Sequence, residues 1–456
     1  MKLISTNPAN NYEVIGSVNI STKEEIKKKV ELANLAKEEW KNIGIKNRVK
    51  LLKPLYKIVT ENLDRLALLT TCEIGKPLKE SHEDIKWDLS YLKFFLENGE
   101  EYLKPEITYK KGNSIHKVFF EPIGMAAIIV PWNFPFGNFL WGAIPNLIVG
   151  NTVVFKHSEE CPLVGKLCEE IMNELDLPKG VFNEIYGAGD VGEYLVSQDI
   201  DFVWFTGSSK VGKKLYGIAG KKFIKSILEM GGSNPAIIFD DVDIDDVISR
   251  LYFKRFLNNG QVCDAVKRLI VDKKIFDEVV LKFKKYLVSK KVGNPEDESI
   301  DFGSLVAKRQ LELLESQVQD AKNKGAVIII GGNRPTNLKG AYYLPTLITN
   351  IKTSMRIWKE EVFGPVLPII SFKTEEEAIK LANYTEYGLG AVIFSKDLKR
   401  AKRLAQKINA GNIDINKGNH WMPQTPFGGY KNSGMGREHG RVGFQELCQI
   451  KVIAEG

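Results

Sequence analysis

Residues 125–155 read MAAIIVPWNFPFGNFLWGAIPNLIVGNTVVF. The two ends, MAAIIV (125–130) and TVVF (152–155), are apolar runs too short and too β-branched for long helices, so both read as buried strands. A helix-like segment follows each, and the apolar runs return as VWF (203–205) and AIIF (236–239). Strand and helix alternating in this way is the rhythm of a parallel α/β sheet. Further along, RLIV (268–271) and AVIII (326–330), with helix-like Phe276–Val288 and 308–324 nearby, repeat it and predict a second α/β lobe, to which strands at Val366–Phe372 and 391–394 are assigned. The chain has 456 residues against ~150 for a typical domain, which also predicts two or three lobes. No low-complexity linker separates them, so they are expected to pack together.

Upstream, MKLISTNPANNYEV reads as a polar arm, with Asn and Pro where a secretory signal carries its apolar region, so a cytoplasmic address is expected. Ser21-Thr22-Lys23-Glu24 has capping-box spacing and predicts a helix start, followed by Ile26, Val30, Ala33 and Trp40 near helical spacing. Segments 49–71 and 82–103 read as similar surface helices. Apolar residues at 43% and charged residues at 27% are ordinary globular composition, and no apolar run approaches the ~18 residues of a membrane span. The net charge of +7 is interspersed and carried mostly by Lys, which argues against nucleic acid. Five scattered Cys without CxxC, and five His without HExxH, predict neither a disulfide framework nor a metal site.

Four segments carry candidate chemistry. Cys263 lies in Asn-Asn-Gly-Gln-Val-Cys-Asp-Ala, a polar turn before a strand, where a thiolate is open to a substrate. An arbitrary Cys is more often a small buried apolar residue, and the polar neighbours argue the other way. Glu229, in Leu-Glu-Met-Gly-Gly, fits either a desolvated general base or a surface carboxylate in a salt bridge. Phe205-Thr-Gly-Ser-Ser-Lys-Val-Gly212 runs from a strand into a helix whose N-terminus suits a phosphate, without the GxGxxG pattern. In Pro131-Trp-Asn-Phe-Pro-Phe136, two prolines stiffen the surroundings of Asn133, whose amide suits an oxyanion or an ordinary turn. Lys156 ends the TVVF strand, where open α/β sheets bind ligands.

Together and in this order, these segments resemble the NAD(P)-dependent aldehyde dehydrogenase superfamily over roughly residues 5–452. The resemblance implies that Cys263 is the nucleophile, Glu229 the base that activates water, and Asn133 the oxyanion donor together with the Cys263 N–H. It implies thiohemiacetal and thioester intermediates on Cys263, oxidation of an aldehyde to an acid, and hydride transfer to NAD, with NADP as the other possible cofactor. Cofactor contacts carried over are Val130, Trp132, Lys156, Ser158, Glu159, Gly207, Ser208, Gly212, Glu361 and Phe363, the last two from Glu-Glu-Val-Phe-Gly-Pro (360–365). A carboxylate at Glu159 repels a 2′-phosphate and favours NAD. PFGGYKNSG (426–434) matches the family's late signature loop.

The implied fold is α/β, with a Rossmann-like NAD(P)-binding domain (1–104 and 123–230), a catalytic domain (231–430), and a small β oligomerisation flap with a C-terminal tail (105–122 and 431–456). Such a flap implies a homodimer or homotetramer. PNLIVGNTVVFKH and the short length are similar to the short succinate-semialdehyde dehydrogenases. However, Leu257, Asn258 and Asn259 stand where some semialdehyde enzymes carry an Arg, leaving Arg255 or another basic residue for that task. Glyceraldehyde or lactaldehyde is the alternative substrate, with Phe136, Phe139, Trp141 and Trp421 as candidate tunnel walls. The same segments are also compatible with a coenzyme A-acylating member of the superfamily and with a non-catalytic binding protein of the same fold.

Overall fold

The computed structural model describes residues 1–456. The C-terminal strand ends of one sheet face the N-terminal ends of most strands of a second, with Met230 of the first leading through a short turn to Asn234 of the second, and a third sheet projects from them. The first sheet runs Gly434–Met435, Lys225–Met230, Phe202–Gly207, Met125–Ile129, Thr152–Lys156, Phe182–Ile185, parallel except for the two-residue edge strand. The second runs Val327–Ile330, Thr346–Thr349, Val366–Phe372, Val266–Asp272, Asn234–Ile238, Gly390–Phe394, Asn412–Ile415, with only the first pair antiparallel. Glu106–Lys111, Ser114–Pro122 and Cys448–Glu455 form an antiparallel flap.

Every residue of Met125–Ile129 and Thr152–Lys156 is buried, as a strand covered by helices on both faces requires. Helix Pro135–Val149 connects them. Pro135 opens it at a position where the missing N–H has no partner to lose, and Gly150, at φ +109°, closes it by donating to Asn146 O and Leu147 O. This helix is apolar almost all round because it is packed between the sheet and helix Leu78–Tyr102. Phe139, Phe155 and Trp204 lie in that core, each contributing roughly 1.5–3 kcal/mol by its burial. No helix is long and apolar enough to cross a membrane.

The structure departs from the sequence reading in several places. The opening is a hairpin, Lys2–Asn7 with Glu13–Asn19, whose turn forms because Asn7 Oδ1 accepts from the Ala9 and Asn10 amides. The first helix, Lys23–Asn42, is capped by Thr22, whose Oγ1 accepts from Glu25 N at 3.1 Å, while Ser21 bonds the Glu25 carboxylate. The capping pattern therefore sits one residue later than expected. Segment 49–71 is spread over three helices, Gly44–Leu52, Leu55–Glu61 and Leu63–Ile74, interrupted at Pro54 and at Asn62.

The segment 431–456, expected to belong with the flap, is divided. Gly434 and Met435 pair with Glu229 and Leu228 in the first sheet. Gly434, at φ +147°, allows that pairing because any Cβ there would collide with the Leu228 carbonyl. Helix Gly440–Glu446 then buries Phe444 against Phe95 and Tyr102, and the chain joins the flap only from Cys448.

Candidate active site

A cavity of ≈ 800 Å³ opens between the two sheets. Because Met125–Ile129 lies between Phe202–Gly207 and Thr152–Lys156, the turns after all three strands emerge side by side at the C-terminal edge. Those turns carry Val130, Trp132 and Asn133; Ser158 and Glu159 after Lys156; and Ser208 after Gly207. Trp132, Asn133, Gly207, Ser208, Glu229, Cys263, Glu361 and Phe363 line the cavity. Val130, Lys156, Ser158, Glu159 and Gly212 do not line it; the first three and Gly212 are buried, and Glu159 is half-exposed. Lys156 Nζ donates to His157 O at 3.1 Å and stands 3.9 Å from Glu159; burial holds its ammonium below the usual lysine range. A Cβ at Gly212 would run into the Met230 sulfur, so this glycine lets the helix Ser209–Lys221 lie close on its sheet. Ser208 caps that helix by accepting from Val211 N.

Cys263 is presented by a turn in which Asn258 (φ 50°), Asn259 (φ 55°) and Gly260 (φ 76°) are all left-handed, a conformation that Asn tolerates better than most residues. Hydrogen bonds hold it on every side. Glu80 accepts from Asn258 N at 2.7 Å; Asn258 Nδ2 donates to Asn133 O at 2.9 Å; Asn259 Nδ2 donates to Ser304 O at 2.7 Å and to Gly75 O at 3.1 Å. Gln261 Oε1 accepts from Val306 N at 3.0 Å. Asn133 Nδ2 donates to Gln261 O at 3.1 Å, which uses one of its two N–H bonds and leaves the second for a ligand. Arg255, offered by the sequence as a substrate-binding cation, is fully buried and donates to the carbonyls of Val366, Gly260, Val362 and Gly364. It braces the turn and faces no substrate.

Burial pushes the Cys263 thiol well up. Lys267 opposes that shift, and Asp264, Glu361 and Glu229 add to it. Glu229 is 2% exposed and neither of its carboxyl oxygens has a hydrogen-bond partner. Burial, then the neighbouring Glu438, hold its carboxyl far above the usual range, and burial pushes Glu438 itself up to about 8. The space for Glu229 exists because Gly428 has no side chain, since a Cβ there would lie 2.6 Å from Glu229 Oε1.

On the far wall, His420 Nε2 is 2.8 Å from Asp264 and its Nδ1 is 3.0 Å from Asp414. Burial works against its charge, yet the two carboxylates raise it to about 9. Trp421 Nε1 donates to Asp264 Oδ2 at 2.9 Å. Trp141 and Trp421 line the cavity, whereas Phe136 and Phe139 do not; both belong to the first-lobe core. Lys267, Glu438 and the Asp264–His420 pair are features the sequence reading missed. Two adjacent charges inside the buried strand Val266–Asp272 were the available signal for Lys267. Glu438 lies in a glycine-rich loop that carries no such signal.

The aldehyde dehydrogenase family model matches residues 2–453. The chain belongs to the aldehyde dehydrogenase family. It is 37% identical to aminoaldehyde dehydrogenase 1, peroxisomal, of Pisum sativum over 455 residues, covering 96% of this chain and 90% of that one. It is 35% identical to the succinate-semialdehyde dehydrogenase [NADP(+)] of Deinococcus radiodurans, covering 94% and 90%. A solved structure of a betaine aldehyde dehydrogenase variant from Staphylococcus aureus with NAD+ superposes with a TM-score of 0.95 at 36% identity, covering 100% of this chain and 94% of that one. The protein is thus an NAD(P)-dependent oxidoreductase of aldehydes with the α/β fold of this family.

Proposed function

We propose that this aldehyde dehydrogenase oxidises a small uncharged aldehyde to its carboxylic acid, with Cys263 as nucleophile, Asn133 as oxyanion donor and Glu229 as the base towards water. The observation that carries this reading is the convergence of those three side chains on one cavity from positions 34 to 130 residues apart in sequence. Cys263 Sγ attacks the carbonyl carbon, and the oxygen takes up charge beside the free N–H of Asn133 and the Cys263 amide. NAD(P), when bound, supplies the hydride acceptor. Glu229 then takes a proton from water, whose oxygen attacks the thioester carbon; the C–S bond breaks, releasing the acid and the thiolate. An acyl transfer to coenzyme A would have no need of that carboxylate.

The cofactor residues fit a dinucleotide. Adjacent strand ends, a helix N-terminus capped by Ser208, and the Lys156–Glu159 pair lie along one edge of the first lobe (1–104 and 123–230), whose turns would hold the pyrophosphate and adenosine ribose. Glu361 and Phe363 would meet the nicotinamide end. Glu159, half-exposed, supports NAD over NADP.

The charge of the cavity supports an uncharged substrate. Eight carboxyl side chains line it, and its one Lys or Arg, Arg309, is engaged by Glu160 at 2.6 and 3.1 Å. The His420 charge is balanced by Asp264 and Asp414. A hydroxyaldehyde such as glyceraldehyde or lactaldehyde finds hydrogen-bonding groups here. Succinate semialdehyde, the second reading, rests on the likeness to the Deinococcus enzyme, and its distal carboxylate finds no free cation. Initial rates of reduced-cofactor formation with these aldehydes, with NAD and NADP in parallel and with and without coenzyme A, test the reading. Preference for succinate semialdehyde would overturn the charge argument, and NADP efficiency above that of NAD would overturn the Glu159 argument. We also propose a homodimer or homotetramer built through the flap, whose exposed Ile107, Tyr109, Ile450 and Val452 suit a second sheet edge.

A further inference from the structure

Lys267 and Arg268 are both 0% exposed neighbours on one strand, at the point where its register against Asn234 and Pro235 shifts by a residue. They are held differently. Arg268 gives its N–H groups to main-chain carbonyls alone, among them Ser233 O, Leu381 O and Ala382 O at 2.8 Å each, and packs over Trp358. That is the pattern of a brace. Lys267 Nζ instead donates to the carbonyl oxygen of Cys263 at 2.6 Å and to Glu361 Oε1 at 2.7 Å, and lies 5.4 Å from the centroid of the Phe363 ring. The same Glu361 oxygen accepts from Gly232 N at 3.1 Å, in the turn that follows Glu229. One ammonium therefore joins the nucleophile's own peptide to a carboxylate of the opposite turn, out of water, where a single charge is weakly screened.

We propose that Lys267 is a positioning residue that couples Glu361 to Cys263: its ammonium fixes the Cys263 carbonyl and eases loss of the thiol proton, while Glu361 offsets that charge. Asp264 and Glu229, like Glu361, are carboxyl groups that oppose ionisation of the thiol, whereas Lys267 favours the thiolate. This rests on the proposed role of Cys263 as nucleophile.

The test is the rate of Cys263 alkylation by iodoacetamide across pH, read on the Cys263 peptide by mass spectrometry without aldehyde. Lys267→Met should move the midpoint upward and slow alkylation at neutral pH about tenfold, the change that one pKa unit produces. Lys267→Arg should keep most of the wild-type rate. Glu361→Gln should move the midpoint downward and speed alkylation, because a carboxylate that opposes ionisation has gone. A merely structural role would slow both variants together or leave the midpoints in place, and either result overturns the proposal. If Lys267→Met fails to fold, Lys267→Gln, which keeps an N–H donor without the charge, carries the same comparison. Turnover of aldehyde by Cys263→Ala would instead sink the proposed function, leaving the alkylation result to be judged by itself.

Discussion

The two turns that face each other across the cavity are built on opposite principles. On the second-lobe side, Asn258, Asn259 and Gln261 are tied by side-chain or main-chain hydrogen bonds to Glu80, Asn133, Gly75, Ser304 and Val306, and Arg255 closes the turn from behind. On the first-lobe side, Glu229 is equally buried and has no hydrogen-bond partner at either oxygen. A nucleophile has to meet a carbonyl carbon at one distance and angle, so rigidity serves it. A base that collects a proton from water is served by a desolvated, unengaged carboxyl, at the cost of burying a polar group unsatisfied.

Substitutions on the two sides test this contrast. Cys263→Ala should lower turnover by about 10⁴-fold or more while cofactor binding, followed by fluorescence titration, is retained. Asn133→Ala should lower kcat by about 10²–10³-fold, as expected for a lost oxyanion donor, and if KM changes instead, the amide serves binding and not the charged intermediate. Glu229→Gln should lower the steady-state rate by about 10²-fold while stopped-flow measurement still shows a first-turnover burst of reduced cofactor. Loss of the burst would place Glu229 in the earlier step.

The pH dependence follows from the carboxyl pair. Burial pushes Glu438 up to about 8, and burial and then Glu438 hold Glu229 far above the usual carboxyl range, so the pair retains protons at neutral pH and the base form appears only as pH rises. The deacylation rate should therefore climb as pH rises above neutrality, by up to about tenfold for each pH unit below the controlling pKa. A flat profile would separate Glu229 from that step. The smallest effect belongs to the rigid side. Asn259→Ala loses the bonds to Ser304 and Gly75 and strains a left-handed position, costing about 1–3 kcal/mol in denaturant unfolding with the substrate preference unchanged.

Much of this molecule was readable along the chain. The strand segments 125–130, 203–205, 236–239 and 268–271 lie within or overlap observed strands, and helix Phe276–Val288 is found at the expected residues. Hydrophobic run length and period are local properties, and these elements are long or apolar enough to express them. The hairpin at Lys2–Asn7 was missed because its strands alternate weakly and its turn, Asn7 to Asn10, resembles a flexible polar arm. The unbroken reading of 49–71 failed because its apolar spacing outlasts the helix breaks at Pro54 and Asn62.

By its sequence alone the protein was determined to be two α/β lobes carrying Asn133, Glu229 and Cys263 in family motifs, because those signals lie within a few consecutive residues. Only the tertiary structure decided which groups act on one another. Lys267 reaches Glu361 across 94 positions, and Glu438 stands beside Glu229 because Gly434–Met435 is drawn into the first sheet. Arg255 is spent on carbonyls and unavailable to a substrate. Such encounters are fixed by strand order and by the closing of one lobe on the other, and the burial they impose moves proton affinities by amounts that no isolated motif contains.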